Sequence, residues 1–167
     1  TLEALGTAAE PILITGIVQQ PAGWWGLRAS SGSQGTANVT LDHVTIEYGG
    51  EDTEDWGGNL VVASANVTVT NSILRNSGSH GLFSDGGAPD ETFSVKVSNT
   101  AITNNRLAAV VCADESCNYN FDSLTATGNG TDGIVYRSFV MGTGTWRNLG
   151  LPYIVEGQGG VGQNGAL

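Results

Sequence analysis

One segment recurs along this chain at an almost constant spacing. Residues 38–48 overlay residues 66–76, and these overlay residues 94–104, so each copy begins 28 positions after the previous one. A weaker copy at 118–128 follows after 24 positions. Repeats of about 20 to 50 residues are typical of solenoids and propellers, because a single unit cannot bury its own apolar face and must stack on its neighbours. The repeat therefore restricts the fold more than any other feature of the sequence.

Each copy alternates apolar and polar residues, which is the pattern of a β-strand with one buried face. The predicted inward side chains are Val39, Leu41, Val67, Val69, Val95, Val97, Tyr119 and Phe121. A second apolar run closes each unit, at 60–62, 81–83, 109–111 and 133–135. Gly, Asn, Asp and Ser lie between the runs and tolerate tight turns. No segment has the apolar spacing of an amphipathic helix, so the sequence predicts an all-β fold.

A stacked solenoid explains the repeat better than a β-sandwich does. Sandwich strands also recur every eight to twelve residues or so, but they need no fixed register from unit to unit. The register aligns Asn71 with Asn99 and Asn76 with Asn104. We therefore expect two asparagine ladders whose amides meet between coils about 4.8 Å apart. Both ladders should end in the first unit, where the chain has His and Tyr at these places.

Several motifs resemble a known family. They are residues 4–12 (ALGTAAEPI), 24–27 (WWGL), the repeated Asn-Ser-Ile and Asn-Thr-Ala-Ile segments, and 151–155 (LPYIV). Over nearly its whole length the chain resembles the right-handed parallel β-helix repeat proteins of bacteria, within the pectate-lyase-like superfamily. The resemblance implies a single-stranded right-handed parallel β-helix, places Trp25 in its core, and implies that the chain starts inside a longer solenoid. We assign residues 1–156 to a β-helix of about six coils, and 157–167 to a Gly-rich tail or partial coil.

The charge of the chain argues against two classes of partner. The net charge is −10, and only six of the 167 residues are Lys or Arg. Binding to nucleic acid or to an anionic membrane surface needs clustered basic residues. No apolar run is long enough for a membrane-spanning helix, so we expect no membrane insertion. We expect a secreted or cell-surface protein, kept in solution by its acidic surface.

The sequence predicts a disulfide between Cys112 and Cys117. Four residues separate the two cysteines, a span that can fold back to bring their Cα atoms within bridging distance. A disulfide would indicate an oxidising compartment. The alternative is a reduced pair of buried thiols.

Two acidic turns are candidates for calcium binding. The first contains Glu51, Asp52, Glu54 and Asp55 among glycines, and the second runs from Asp85 to Glu91. Calcium takes six to eight oxygen ligands, roughly, from flexible loops, but the spacing here matches no EF-hand. A solvated acidic loop is the alternative interpretation. The fold itself requires no cofactor.

One groove could hold a carbohydrate. The candidate ligand-binding residues are Trp56, Asp52, Asp55, His80 and Asp85. An exposed indole ring offers a flat face for a sugar, and a histidine beside a carboxylate could act as a base. The alternative for His80 is a turn histidine satisfied by a backbone carbonyl.

The pattern of charges does not favour an enzyme. The resemblance implies that polysaccharide lyases of this fold combine calcium-binding acids with an Arg or Lys, and that related hydrolases cluster Asp residues on adjacent coils. Here Arg75 aligns with Glu47 of the preceding unit, which is most simply a structural ion pair. We assign no catalytic residue.

The function that the sequence favours is a structural or adhesive module of an exported bacterial protein, which displays acidic loops. The alternative is a carbohydrate-binding or polysaccharide-cleaving domain. Expected partners are carbohydrate or other surface proteins. Unpaired strand edges at the two ends of a solenoid also favour end-to-end self-association.

Overall fold

The computed structural model describes residues 1–32, 35–50, 56–85, 93–113, 117–138 and 145–156. These residues form fourteen strands and no helix. All pairings between the strands are parallel. The predicted all-β parallel solenoid is therefore confirmed. The Gly-rich tail at 157–167 lies outside the described residues, and the division at residue 156 stays a prediction.

The first sheet has eight strands arranged as two limbs that meet at a corner. Its strands are β1 (Leu2–Leu5), β2 (Ile12–Thr15), β4 (Ala37–Asp42), β5 (Val44–Glu47), β7 (Ala65–Thr70), β8 (Ile73–Arg75), β10 (Phe93–Thr103) and β12 (Cys117–Thr127). The long strands β10 and β12 run through the corner. They therefore join the limb of β1, β4 and β7 to the limb of β2, β5 and β8.

The second sheet closes each coil on the opposite side of the core. Its six strands are β3 (Leu27–Ser30), β6 (Gly58–Ala63), β9 (His80–Asp85), β11 (Ala108–Cys112), β13 (Thr131–Tyr136) and β14 (Tyr153–Val155). Each coil contributes one strand to this sheet after crossing the first one. The described chain thus forms five coils and the second-sheet strand of a sixth, in agreement with the predicted number.

The strand register is the register of the sequence repeat. Asn38 pairs with Asn66, and Val67 pairs with Val95, in both cases across 28 positions of the chain. The next rung pairs Ser94 with Asn118, at the shorter shift that the weaker copy predicted. All four copies of the repeat therefore lie directly above one another.

The core runs along the inside of the coils. All eight predicted inward side chains of the repeat are buried. On the second sheet, Leu60, Leu82, Val110 and Ile134 stack in one column, and each is at most 1% exposed.

The assignment of Trp25 to the core is wrong. Trp25 is 69% exposed. The neighbouring Trp24 packs against the core instead, and its Nε1–H donates to the Glu47 carbonyl at 2.9 Å.

The corner of the first sheet is formed by left-handed residues. His43, Asn71, Asn99 and Ser123 have φ between 47° and 51°. Of the two predicted ladders, that of Asn71 and Asn99 is confirmed, because the Asn99 amide donates to Asn71 Oδ1 at 2.5 Å. The ladder of Asn76 and Asn104 amides stays a prediction. The confirmed ladder ends on Asp42, whose carboxylate accepts from the Asn71 amide at 2.8 Å. His43 turns to the same carboxylate, with its Nδ1 at 3.1 Å from Asp42 Oδ1.

A second row of left-handed residues follows each strand of the other limb. Tyr48, Asn76, Asn104 and Gly128 have φ between 56° and 74°. Their backbone N–H groups continue the stack: Asn76 donates to the carbonyl of Thr103 and Asn104 donates to that of Thr127. Asn and Gly suit these places because they adopt left-handed backbone at low cost.

A buried amide network lies just beyond this row, and the sequence analysis missed it. Asn105 is 1% exposed. Its Oδ1 accepts from the Ser77 backbone N–H at 2.9 Å and from the Asn59 amide at 3.1 Å. Its own amide donates to Asn129 Oδ1 at 2.8 Å and to the Leu74 carbonyl at 3.2 Å. The network satisfies backbone groups that the turns leave without strand partners.

The predicted disulfide is absent. Cys112 and Cys117 are both buried thiols. Cys112 ends β11 in the second sheet, whereas Cys117 begins β12 in the first, where it pairs with Phe93. Each thiol fills a small inward position of the core, as free cysteines commonly do. Burial, followed by the neighbouring Cys117, raises the pKa of the Cys112 thiol well above its usual range.

Candidate functional site

A group of three aromatic rings lies on the outer face of the second sheet. The ring of Phe83 contacts that of Trp56 edge to face, with centroids 5.8 Å apart. The His80 ring stacks on the same phenyl ring at 5.6 Å. The structure thus brings two predicted ligand-binding residues, Trp56 and His80, to one side chain. Trp56 is 53% exposed, so part of its ring is accessible.

Phe83 belongs to an outward apolar column that the sequence analysis did not identify. Register places Val61, Phe83, Val111, Val135 and Ile154 in line along the second sheet. The first four are at most 4% exposed. These strands are buried on both faces, so the sequence locates their apolar runs without showing which residues face outward.

His80 serves the fold. Its side chain is 1% exposed, and its Nδ1 accepts a hydrogen bond from the Ala108 backbone N–H at 3.0 Å. A nitrogen that accepts is unprotonated, so the proton of the neutral ring is on Nε2. The backbone partner of Nδ1 is therefore an N–H group of the next coil, and the predicted bond to a carbonyl stays a prediction.

The structure separates His80 from the described acidic residue of the predicted groove. His80 begins β9 and Asp85 ends it, and five steps along a strand span about 17 Å. At that distance His80 does not act as a base beside Asp85, whereas Asp55, the other predicted partner, lies outside the described residues.

The remaining acids of the prediction are Glu51, Asp52, Glu54 and Asp55, which lie outside the described residues. Within the described ranges, no three His, Cys, Asp or Glu side chains are grouped so as to hold a metal ion. The calcium site of the first acidic turn stays a prediction.

The predicted ion pair between adjacent coils is confirmed. Arg75 Nε donates to Glu47 Oε2 at 2.7 Å, and a second guanidinium nitrogen lies at the same distance from that oxygen. The Glu47 side chain is 6% exposed, whereas that of Arg75 is 43% exposed. The arginine compensates a nearly buried carboxylate, which is a structural role.

A shallow groove of about 360 Å³ follows the corner of the first sheet. Its polar wall includes the ladder amides of Asn71 and Asn99 and the hydroxyl group of Ser123. Ile73, which is 36% exposed, and Ala101 form an apolar strip beside them. Amides and hydroxyls next to a small apolar strip suit a ligand with both hydroxyl and C–H surfaces.

Aromatic residues cover the core at the last coil. Trp146 stacks on Tyr153 with centroids 5.0 Å apart and an angle of 3° between the rings. Tyr136 contacts Trp146 at 4.9 Å and Tyr119 at 5.9 Å. Burial raises the pKa of the Tyr136 hydroxyl far above its usual range, and burial also raises that of Tyr153. Both phenols are therefore uncharged packing groups at neutral pH.

Comparison with protein families agrees with this architecture. The family model described as "right handed beta helix region" matches residues 26–141, which is more than half of the chain. No curated protein and no solved structure matches it. Among the described residues there is no helix of the length and apolarity that crossing a membrane requires. With its strands, its register and its family match in agreement, the chain belongs to the right-handed β-helix family.

Proposed function

We propose that this domain is a rigid structural module of an exported protein, which displays the turns between its sheets to adhesive or other surface partners. The observation that supports the proposal is the parallel register that both sheets keep from coil to coil, with one irregularity between Ala108 and Val110 in the second sheet. Pairs such as Thr40 with Thr68 and Lys96 with Asn120 continue from coil to coil. A solenoid of this kind transmits load through every rung, and each rung contacts only its neighbours.

Two further features support stiffness. The Asn105 network and the Asn71 to Asn99 ladder join successive coils through side chains as well as through backbone. β-Helix domains are often extracellular, which agrees with the acidic surface of this one. Export itself is part of the proposal.

Native-state hydrogen exchange tests the proposed rigidity. We expect the amides of β7, β9, β10 and β11 to exchange together, through one opening whose free energy approaches that of global unfolding. Independent exchange of single coils at low free energy would contradict a rigid module. Limited proteolysis in a parallel experiment shows whether the turns are cleaved while the strands remain protected. It therefore distinguishes motion of the turns from opening of the coils.

Carbohydrate recognition is the second candidate, favoured by the corner groove and by the exposed ring of Trp56. Titration with neutral oligosaccharides such as cellohexaose and mannohexaose tests it. Asn99→Gly keeps the left-handed backbone and removes the ladder amide, whereas Trp56→Ala removes the ring. Weaker binding in only one of the two variants would assign the sugar to the surface that this variant alters, either the corner groove or the ring of Trp56. Absence of binding to the unaltered protein would exclude both surfaces for these sugars.

We also propose that the first acidic turn binds calcium. A calcium-dependent rise in melting temperature should disappear in the double variant Asp52→Asn/Asp55→Asn. A melting temperature that calcium does not change would leave a solvated loop.

Pairing between copies is a further part of the proposal. In the part of the chain that the structure describes, β1 pairs only with β4, and β12 pairs only with β10. Their outer edges carry backbone groups that another strand can pair with. Leu2, Leu5 and Leu13, on the first coil, are each at least 42% exposed. We expect sedimentation to detect end-to-end dimers at high concentration, and a strict monomer would contradict this.

A further inference from the structure

A row of equivalent backbone N–H groups crosses four coils beside the buried amide network. Its members lie 28, 28 and 24 positions apart along the chain, at Gly49, Ser77, Asn105 and Asn129. Each of these N–H groups donates to a side-chain oxygen. Side chains often satisfy backbone groups that lie beyond the end of a strand ladder. The turns of successive coils therefore depend on side-chain acceptors.

These acceptors follow one another from coil to coil. Oδ1 of Asn129 accepts from the Asn105 N–H at 3.0 Å, and Oδ1 of Asn105 accepts from the Ser77 N–H at 2.9 Å. The third coil has Ser77 where the next coils have asparagine. There, Asn59 of β6 supplies the oxygen instead and accepts from the Gly49 N–H at 2.9 Å. The series thus continues to the second coil although the row of asparagines ends.

The acceptor side chains are also linked to one another, and all links have the same direction. The Asn59 amide donates to Asn105 Oδ1 at 3.1 Å, and the Asn105 amide donates to Asn129 Oδ1 at 2.8 Å. The Asn129 amide in turn donates to Asp132 Oδ1 at 2.7 Å. Hydrogen bonds that follow one another in this way polarise each other. We call the four side chains the amide chain.

Asp132 is the charged end of the amide chain. It lies exposed near the start of β13. Its carboxylate also accepts from the backbone N–H groups of Asn129 at 2.8 Å and of Gly128 at 3.0 Å. An ionised carboxylate only accepts hydrogen bonds, so the Asn129 amide must present its N–H group to it. Among the described residues, no basic side chain lies within ion-pair distance of this carboxylate.

The other end of the amide chain is buried. Asn59 is 0% exposed and Asn105 is 1% exposed. Exclusion of water lowers the local dielectric constant, which increases the effect of each hydrogen bond on the next. Three rungs separate the second coil from the fifth, a span of about 14 Å. Gly49 and Gly50 lead directly into residues 51–55, so the amide chain ends where the first acidic turn begins.

We propose that the amide chain is a conformational device, in which the charge of Asp132 on the fifth coil strengthens the hydrogen bond that holds the Gly49 turn on the second coil. The carboxylate attracts the N–H group of Asn129, which makes Oδ1 of this residue a stronger acceptor. Each later oxygen gains in the same way. One bond strengthens the next by about 10 to 30%, so the effect decreases from coil to coil. The proposal does not rest on the structural function proposed above.

Amide proton shifts of the whole chain test the proposal, because a stronger hydrogen bond moves its proton downfield. Asp132→Asn removes the charge and keeps an acceptor oxygen. It should move four N–H protons upfield, by amounts that decrease in the order Asn129, Asn105, Ser77 and Gly49. The N–H group of Gly78, which donates to a backbone carbonyl instead, should not move. Asp122→Asn makes the same charge change on the first sheet of the fifth coil and should leave all of these protons in place.

A variant that breaks the amide chain separates transmission through hydrogen bonds from a direct electric field. Asn59→Ser removes the last link. In this background, Asp132→Asn should still move the N–H proton of Asn105 and should no longer move that of Gly49. A direct field would act on Gly49 in both backgrounds, and an unchanged response of Gly49 would overturn the proposal.

If Asn59→Ser does not fold, the comparison of Gly49 with Gly78 decides, because a direct field acts on both. Shifts confined to Asn129 would overturn the proposal, since only the turn around the substituted residue would then respond. Equal shifts in Asp122→Asn would overturn it as well, since net charge alone would then explain them.

Discussion

At the scale of the residue, the coils are fixed by side-chain amides whose places the repeat only partly reveals. The ladder of Asn71 and Asn99 could be predicted, because both residues fall at the main shift of the repeat. The contact of Asn105 with Asn59 could not, because Asn59 lies in β6, two coils away and at a place in its coil that is not equivalent to that of Asn105. A sequence repeat aligns equivalent positions of successive coils and says little about contacts across a coil.

The Asn105 network should be the most sensitive polar site of the protein. Asn105→Ala leaves the Ser77 backbone N–H and the Asn59 amide without their acceptor in the core. We expect a loss of about 3 kcal/mol in the free energy of unfolding, because each buried unsatisfied group costs about 1 to 3 kcal/mol. Urea unfolding measures the loss. Asn38→Ala, at an exposed place of β4, is the control and should cost less than about 1 kcal/mol.

The two thiols should be unreactive in the folded protein. Cys112 is 1% exposed and Cys117 is 4% exposed. Because burial also raises the pKa of Cys112, little thiolate is present at neutral pH. A thiol reagent such as iodoacetamide should label both residues only as fast as the chain unfolds. Rapid labelling of the native protein would contradict their place in the core.

At the scale of the element, the alternation of apolar and polar residues predicted the position and orientation of strands that have one buried face. It did not predict the orientation of strands that are buried on both faces. The alternating segments of β4, β7, β10 and β12 were located residue by residue. The second-sheet strands are buried on both faces, so their apolar runs could be located but not oriented. The outward column through Phe83 was missed for this reason, as was its contact with Trp56 and His80.

The interior column of the second sheet should dominate the stability of these strands. Leu82→Ala removes a fully buried side chain between Leu60 and Val110. We expect the free energy of unfolding to fall by about 2 to 5 kcal/mol, because the buried apolar groups are removed and a cavity remains in their place. Ile73→Ala, on the half-exposed face of β8, is the matched control and should cost about 1 kcal/mol. Similar losses in both variants would contradict the assignment of inner and outer faces.

The turn at the start of β13 should make the stability of the protein depend on pH in the acidic range. Burial alone would raise the pKa of Asp132, but N–H groups of Asn129 and Gly128 outweigh it and lower this pKa. A lowered pKa in the folded state adds stability above the unfolded value of about 3.9 and loses it as the pH falls further. Asp132→Asn should therefore flatten the fall in melting temperature between about pH 5 and pH 2.

Asp122→Asn makes the same charge change at an exposed residue of β12 and serves as the control for this pH series. The account predicts that the slope of melting temperature against pH changes more in Asp132→Asn than in Asp122→Asn. The same slope in both variants would show that general charge, and not the N–H groups at 128 and 129, sets the acid dependence.

At the scale of the whole molecule, the sequence repeat predicted the fold. The candidate ligand sites depend on residues that do not recur from coil to coil, so the repeat did not predict them. Stacking requires a constant register, so fold and register could be read together. The sequence analysis placed His80 and Asp85 in one groove, whereas the whole length of β9 lies between them.

Interstrand nuclear Overhauser effects test the central claim, which is the in-register parallel stack. We expect contacts between the backbone protons of Thr40 and Thr68, of Thr68 and Lys96, and of Lys96 and Asn120, the pairs that the structure aligns. Parallel strands give a staggered pattern in which close Hα–Hα pairs do not occur, since their hydrogen bonds are evenly spaced and slanted. Close Hα–Hα contacts between neighbouring strands, as antiparallel sheets give, would contradict the β-helix.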